Sequence, residues 1–142
     1  MKGSLTIVGL GPGAPELITP AVTDALKDST DIVGYSKYIE RVKDTSGKSF
    51  HPSDNREEID RAEHSINLAL QGKKVVVVSS GDPGVFAMAS AIFEVVDKKN
   101  ISIDDLPIVV LPGITALLAA SARLGAPIGH DFCVINLSDN LK

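Results

Sequence analysis

Apolar residues in this chain fall in short runs, each closed by glycine and proline and followed by a stretch whose apolar positions recur every three or four residues. The clearest run is Val75-Val76-Val77-Val78. Four β-branched residues, with Lys73-Lys74 ahead and Ser79-Ser80-Gly81-Asp82-Pro83-Gly84 behind, read as a strand buried on both faces that runs into a sharp turn. Leu5-Thr6-Ile7-Val8 and the segments 31–35, 107–111 and 132–135 predict four more strands. Helical spacing predicts helices over 21–27, 56–71, 85–98 and 114–124, with Thr19-Pro20 as the start signal of the first and Gly72, Gly125 and Pro127 as stop signals. A helical turn is expected over 38–42, and the polar stretch 45–55, with Gly47 and Pro52, reads as an exposed loop. Alternating strands and helices predict an α/β fold, a mostly parallel, doubly wound sheet of about five strands with flanking helices and right-handed crossovers. Residues 1–136 are expected to form one α/β domain. No helix follows the last strand to cover it, so 137–142 is expected to begin a linker to a second domain.

Composition narrows the class of protein. The chain has 142 residues, enough for one α/β core, with 44% hydrophobic and 23% charged residues. A net charge of −4, few aromatics and no basic stripe argue against nucleic acid as a partner. No apolar run approaches the roughly 20 residues that cross a bilayer, so no membrane partner is expected. One cysteine, Cys133, cannot form an intramolecular disulfide, and no apolar segment follows the opening Met-Lys-Gly-Ser, which together predict a reduced, cytoplasmic protein.

Three turns share one design. Gly11-Pro12-Gly13, Asp82-Pro83-Gly84 and Leu111-Pro112-Gly113 each lie after a predicted strand and before a helical segment, so a parallel sheet puts all three on one rim. Proline fixes the turn and glycine lets the backbone approach a ligand, and open parallel sheets bind ligands at that rim. Asp82 is the one acid inside such a turn; it either contacts the ligand or caps the following helix. Thr115 and Ala116 either present a hydroxyl and amides to the same cleft or serve only the start of a helix. Tyr35 and Tyr38 either line a flat substrate surface or cover the sheet edge.

Other chemistries find little support. Gly9-Leu10-Gly11-Pro12-Gly13-Ala14 formally fits a dinucleotide fingerprint, but Pro12 removes an amide that phosphate would use and the second strand ends in Gly34-Tyr35 rather than an acid. There is no P-loop and no Gly-x-Ser-x-Gly elbow. His51, His64 and His130 lack metal-ligand spacing with one another or with Cys133, and no metal site is assigned. His64 is expected on a solvated helix face, Cys133 as a small buried apolar residue, and Asp104-Asp105 in a solvated turn.

The three turns, Ile7-Val8-Gly9-Leu10-Gly11-Pro12-Gly13, Ser79-Ser80-Gly81-Asp82-Pro83-Gly84-Val85-Phe86 and Val110-Leu111-Pro112-Gly113-Ile114-Thr115-Ala116, together resemble the tetrapyrrole methylase family over nearly the whole chain. The segments 33–39, 84–89 and 129–132 look like the branch that methylates C17 of precorrin-3B or cobalt-factor III. The resemblance implies S-adenosyl-L-methionine as cofactor, a precorrin as substrate and a role in cobalamin biosynthesis. It also implies a cleft between two domains and a homodimer at full length. Carried over, it assigns cofactor binding to Pro12, Ser80, Gly81, Asp82, Val85, Thr115 and Ala116, and substrate binding to Gly11, Gly13 and Tyr35. Many relatives have glycine where this chain has Ser80. The domain alone is expected to be inactive, since the second domain supplies the rest of the cofactor site. The alternatives are methylation at another precorrin position or of RNA or protein, and a non-catalytic nucleotide-binding module.

Overall fold

The computed structural model describes residues 2–43 and 46–137 and places the four-valine run at the centre of an all-parallel, five-stranded sheet. The strands are β1 (Ser4–Gly9), β2 (Asp31–Tyr35), β3 (Ser49–Ser53), β4 (Lys74–Ser79) and β5 (Ile108–Leu111), in the spatial order β3-β2-β4-β1-β5. β4 pairs with β2 on one side and β1 on the other, so beyond the exposed Lys74 its residues, Val75 to Ser79, are buried with helices above and below. The period of two divides them: Val75 and Val77 face one core with Leu5, Ile7 and Val33, while Val76 and Val78 face another with Val8 and Ile32. The helices α3 (Glu58–Leu70) and α4 (Met88–Lys98) supply Ala62, Ile66, Ile92 and Val95 to the first core. On the opposite face α1 (Pro20–Asp28) supplies Val22, and the short α2 (Ser36–Ile39) packs Tyr38 and Ile39 there. The mostly parallel α/β sheet expected from the sequence is the one observed.

Helix starts follow the signals. Thr19 caps α1, its hydroxyl accepting from the Val22 amide at 3.4 Å with Pro20 in the first turn, and Thr115 caps α5 (Ala116–Arg123), accepting from the Leu118 amide at 3.3 Å.

Four expectations need correction. The stretch read as an exposed loop over 45–55 contains β3, an edge strand on β2; only Phe50 of it packs into a core, and Pro52 is tolerated because an edge strand leaves one side of its ladder unpaired. Segment 132–135 is not a strand. Its residues are without ladder partners, Phe132 and Ile135 stay exposed, and with them Cys133, which was expected to be buried. An apolar run predicts a strand only where a sheet edge takes it up, and β5 does not. Helix α4 begins at Met88, not at 85, because Pro83-Gly84 forms a turn closed by the Val85 amide on the Asp82 carbonyl at 3.2 Å and Phe86 takes φ +49°. Of the expected linker 137–142, residues 138–142 lie outside the described residues, as does Thr45 of the expected loop.

Candidate functional site

Strand order makes β4, β1 and β5 consecutive neighbours, so the three glycine-proline turns leave the same rim side by side. There they interlock. Gly11 and Gly81 exchange both backbone hydrogen bonds, at 3.1 and 2.9 Å, and the Leu10 amide donates to the Ser79 carbonyl at 2.8 Å. The turn after β5 is drawn in by Asp82: one carboxylate oxygen accepts from the Gly84 amide at 2.8 Å within its own turn, the other from the Gly113 amide at 2.9 Å. Asp82 does not cap α4, whose first residue has no side-chain cap. Gly9 and Gly113 are required by contact: a Cβ on Gly113 would stand 2.1 Å from the Gly81 carbonyl oxygen, and one on Gly9 would stand 2.2 Å from the same atom. Arg41, just after α2, clamps the assembly from the other side. Its Nη2 donates to the carbonyls of Leu10 and Gly11 at 2.7 and 3.1 Å, and its Nη1 to the Ser80 hydroxyl at 3.4 Å.

Beside this welded rim lies a cavity of about 330 Å³. Of the residues assigned to cofactor binding, Ser80, Gly81, Asp82, Val85, Thr115 and Ala116 line it. Pro12 lies apart, in a neighbouring groove along α5 that Ala116 shares. Gly11, Gly13 and Tyr35, assigned to the substrate, line neither space. Gly11 is held in its bridge to Gly81, and the Tyr35 ring stands edge-on to Tyr38 at 5.2 Å between centroids. It is Tyr38 that reaches the cavity.

The cavity is also lined by residues that the sequence did not single out: Arg61, Phe86, Met88 and Leu117. Phe86 holds its ring 60% exposed on a backbone in the left-handed region, where a bulky residue is rare. Arg61 is only 4% exposed. Its Nε donates to the Ser53 hydroxyl at 2.7 Å, its Nη2 to the Asp54 carbonyl and its Nη1 to the Met88 sulfur at 3.4 Å. Burial pulls its pKa below the ordinary arginine value, opposed by the nearby charges of Glu58 and Glu57; the group stays a cation. A signal for it was present: Arg61 falls on the buried stripe of α3 with Ala62, Ser65, Ile66 and Ala69, where a charge is out of place.

On the β2–β3 side of the sheet, Asp31, His51 and His64 form a chain. His51 Nε2 meets the Asp31 carboxylate at 2.9 Å and its Nδ1 meets His64 Nε2 at 3.0 Å. Burial raises the Asp31 pKa, but hydrogen bonds from Thr30 and His51 and the charges of Lys73 and His51 outweigh it, leaving the carboxyl below its usual value. His64 is therefore partnered rather than merely solvated. Among the described residues no group of three such side chains, Asp31, His51 and His64 included, is arranged to hold a metal ion, and no helix is long and apolar enough to cross a membrane.

Residues 4–142 match the model of a family described as Tetrapyrrole (Corrin/Porphyrin) Methylases. The chain is 47% identical over 142 residues to the Precorrin-3B C(17)-methyltransferase of Sinorhizobium sp, covering 100% of this chain and 56% of that protein. Among solved structures, it is similar to the methyltransferase CobJ, with a TM-score of 0.92 at 58% identity, covering 99% of this chain and 58% of the other. It is also similar to the uroporphyrin-III C-methyl transferase of Thermus thermophilus complexed with S-adenyl homocysteine, with a TM-score of 0.71 at 27% identity, covering 91% and 54%. The chain thus spans a little over half the length of each of these three relatives.

Proposed function

We propose that this chain, which belongs to the tetrapyrrole (corrin/porphyrin) methylase family, is the N-terminal α/β domain, residues 1–136, of an S-adenosyl-L-methionine-dependent methyltransferase. Its substrate is a precorrin, methylated at C17 as precorrin-3B or cobalt-factor III in cobalamin biosynthesis. The observation that carries this reading is the convergence of Ser80, Gly81, Asp82, Val85, Thr115 and Ala116 on one cavity at the carboxyl rim of the sheet.

The residues present fit the cofactor. Small-molecule sites start at about 300 Å³ and combine apolar walls with a few polar groups, and here Val85, Met88 and Leu117 supply apolar surface while Ser80, Thr115 and Arg61 supply donors. When bound, S-adenosylmethionine supplies a methyl group on a sulfonium, an activated donor that needs no protein nucleophile. What remains for the chain is to hold and orient two partners, which alone is worth several orders of magnitude in rate. The interlocked backbone of the three turns suits that task, because it fixes the cavity wall without relying on mobile side chains.

A second domain is part of the proposal. Val109 of β5, Leu118 and Leu124 at α5, and Phe132 and Ile135 beyond it are exposed apolar residues at one edge of the sheet. A face of that kind calls for a cover, and the relatives have the length to provide one. The reading carries with it a cytoplasmic homodimer at full length without nucleic acid or membrane as partner; the unpaired Cys133 fits a reducing compartment, and the net charge of −4 fits a protein that does not bind nucleic acid.

Calorimetric titration of the natural-length protein with S-adenosylhomocysteine tests the site: micromolar or tighter binding is expected, with weak or no binding to residues 1–142 alone. Incubation with a precorrin and ¹³C-methyl-labelled cofactor then places the new methyl by NMR. No binding by the natural-length protein would overturn the function, and a label on another ring carbon would overturn C17.

A further inference from the structure

Arg61 is a cation without a counter-ion. Its side chain offers five N–H donors to three acceptors, a hydroxyl, a carbonyl and a thioether sulfur, and none of these is charged. Among the described residues no carboxylate comes within ion-pair distance of it. The acids nearby are otherwise placed: Glu58 in the first turn of its helix, which also lines the cavity, Glu57 just before it and Asp54 are exposed to water, and Asp82, on the same cavity, spends both oxygens on the Gly84 and Gly113 amides. A guanidinium withdrawn from water and left unpaired is among the costliest arrangements in a folded protein. It is tolerated where a ligand brings the missing charge. The position suits that role, since Arg61 and its sulfur contact Met88 both line the cavity that holds the predicted cofactor residues.

We propose that Arg61 is the receptor for a carboxylate of the molecule bound in this cavity. The inference rests on reading the cavity as the cofactor and tetrapyrrole site. A planar guanidinium matches a carboxylate with two parallel hydrogen bonds, and the weak sulfur contact of Nη1 leaves that nitrogen the most to gain. Two ligands of the proposed reaction carry such a group. The cofactor has one at its amino-acid end, and a precorrin has several on its acetate and propionate arms.

The test uses natural-length protein, wild type and the variants R61Q and R61K, titrated with two pairs of probes. The first pair is S-adenosylhomocysteine and 5′-methylthioadenosine, which lacks the amino-acid end. The second is uroporphyrin III and its fully amidated counterpart. If the carboxylate is the cofactor's, R61Q weakens S-adenosylhomocysteine about ten- to a hundredfold, the size of a charge-assisted hydrogen bond. It then leaves methylthioadenosine unchanged, with R61K in between. If the carboxylate belongs to the ring, S-adenosylhomocysteine binds R61Q as it binds wild type, and the same loss appears for uroporphyrin but not for its amide. Unchanged binding of both acids by folded R61Q overturns the proposal. Should R61Q fail to fold, wild type decides: equal affinity for acid and acid-free members of both pairs overturns it, and a preference confined to the acids supports it. Failure of wild type to bind S-adenosylhomocysteine at all would strike the proposed function instead.

Discussion

Replacing Gly113 by alanine puts the interlocked rim to a quantitative test. The added Cβ would lie 2.1 Å from the Gly81 carbonyl oxygen and 2.8 Å from that of Gly9, and contacts under 3.0 Å are essentially never seen. Both obstacles are backbone, so no side chain can swing away, and the end of β5 must retreat by roughly 1 Å, an overpacking that costs about 1–3 kcal/mol. That retreat also stretches the bond from the Gly113 amide to Asp82 at 2.9 Å, a hydrogen bond to a charged group worth about 1.5–3 kcal/mol. Together the two effects amount to about 2.5–6 kcal/mol, a large share of the usual 5–15 kcal/mol of a folded domain. With a urea slope of about 2 kcal/mol per M, the unfolding midpoint should fall by about 1.2–3 M. Gly129→Ala is the control, because a Cβ there meets nothing within 4 Å; its stability should stay within about 0.5 kcal/mol of wild type, a midpoint shift of no more than about 0.25 M. Equal midpoints for the two variants would refute the claim that the turns are in hard contact.

Further outcomes follow from the clamp and from the buried acid. Arg41→Met removes three hydrogen bonds to the turns after β1 and β4, and it should cost about 1–3 kcal/mol and weaken S-adenosylhomocysteine at least tenfold; a folded variant with wild-type affinity would show that the clamp does not shape the site. Asp31 titrates below its usual value when folded, so its contribution to stability is fully present above the ordinary carboxylate pKa near 3.9 and is lost as pH falls through the lower folded value. Wild type should therefore lose more stability than Asp31→Asn as urea midpoints are followed from about pH 5 downward. Parallel profiles for the two proteins would contradict that sign.

What the sequence disclosed and what it hid have a common physical basis. The run 75–78 announced a strand covered on both faces because β-branched residues in series leave no polar side for water, and three of the other four strands, β1, β2 and β5, carry the same kind of run. The rim turns were legible for a related reason, since Gly and Pro at a strand exit restrict the backbone locally. β3 was illegible. An edge strand with Phe50 as its one core residue is held by the ladder of its neighbour, and a ladder leaves no trace in composition. Residues 132–135 erred in the opposite direction, being apolar enough for a strand but without an edge that accepts them. In the site, residues on the turns were found and residues reaching in from α3 and the start of α4 were missed. Arg61 enters through tertiary packing, and only its misplaced charge on the buried stripe betrays it. The contact of His51 with His64 was hidden because their proximity depends on β3 lying beneath α3.

The strand order also sets a timetable for the nascent chain. Ser4 of β1 pairs with Lys74 of β4, roughly 70 residues later, a loop whose closure must be made against chain entropy before any ladder bond rewards it. At about 5–20 residues per second on the ribosome, β1 spends about 4–14 seconds as an apolar segment without its central partner. Its other neighbour, β5, is made later still. Gly9, Gly81 and Gly113 can meet only after all three turns have emerged, so the ligand cavity is among the last features to form. In pulse-labelled hydrogen exchange of the refolding chain, protection of the Gly11, Gly81 and Gly113 amides should accordingly trail that of β2 and β4.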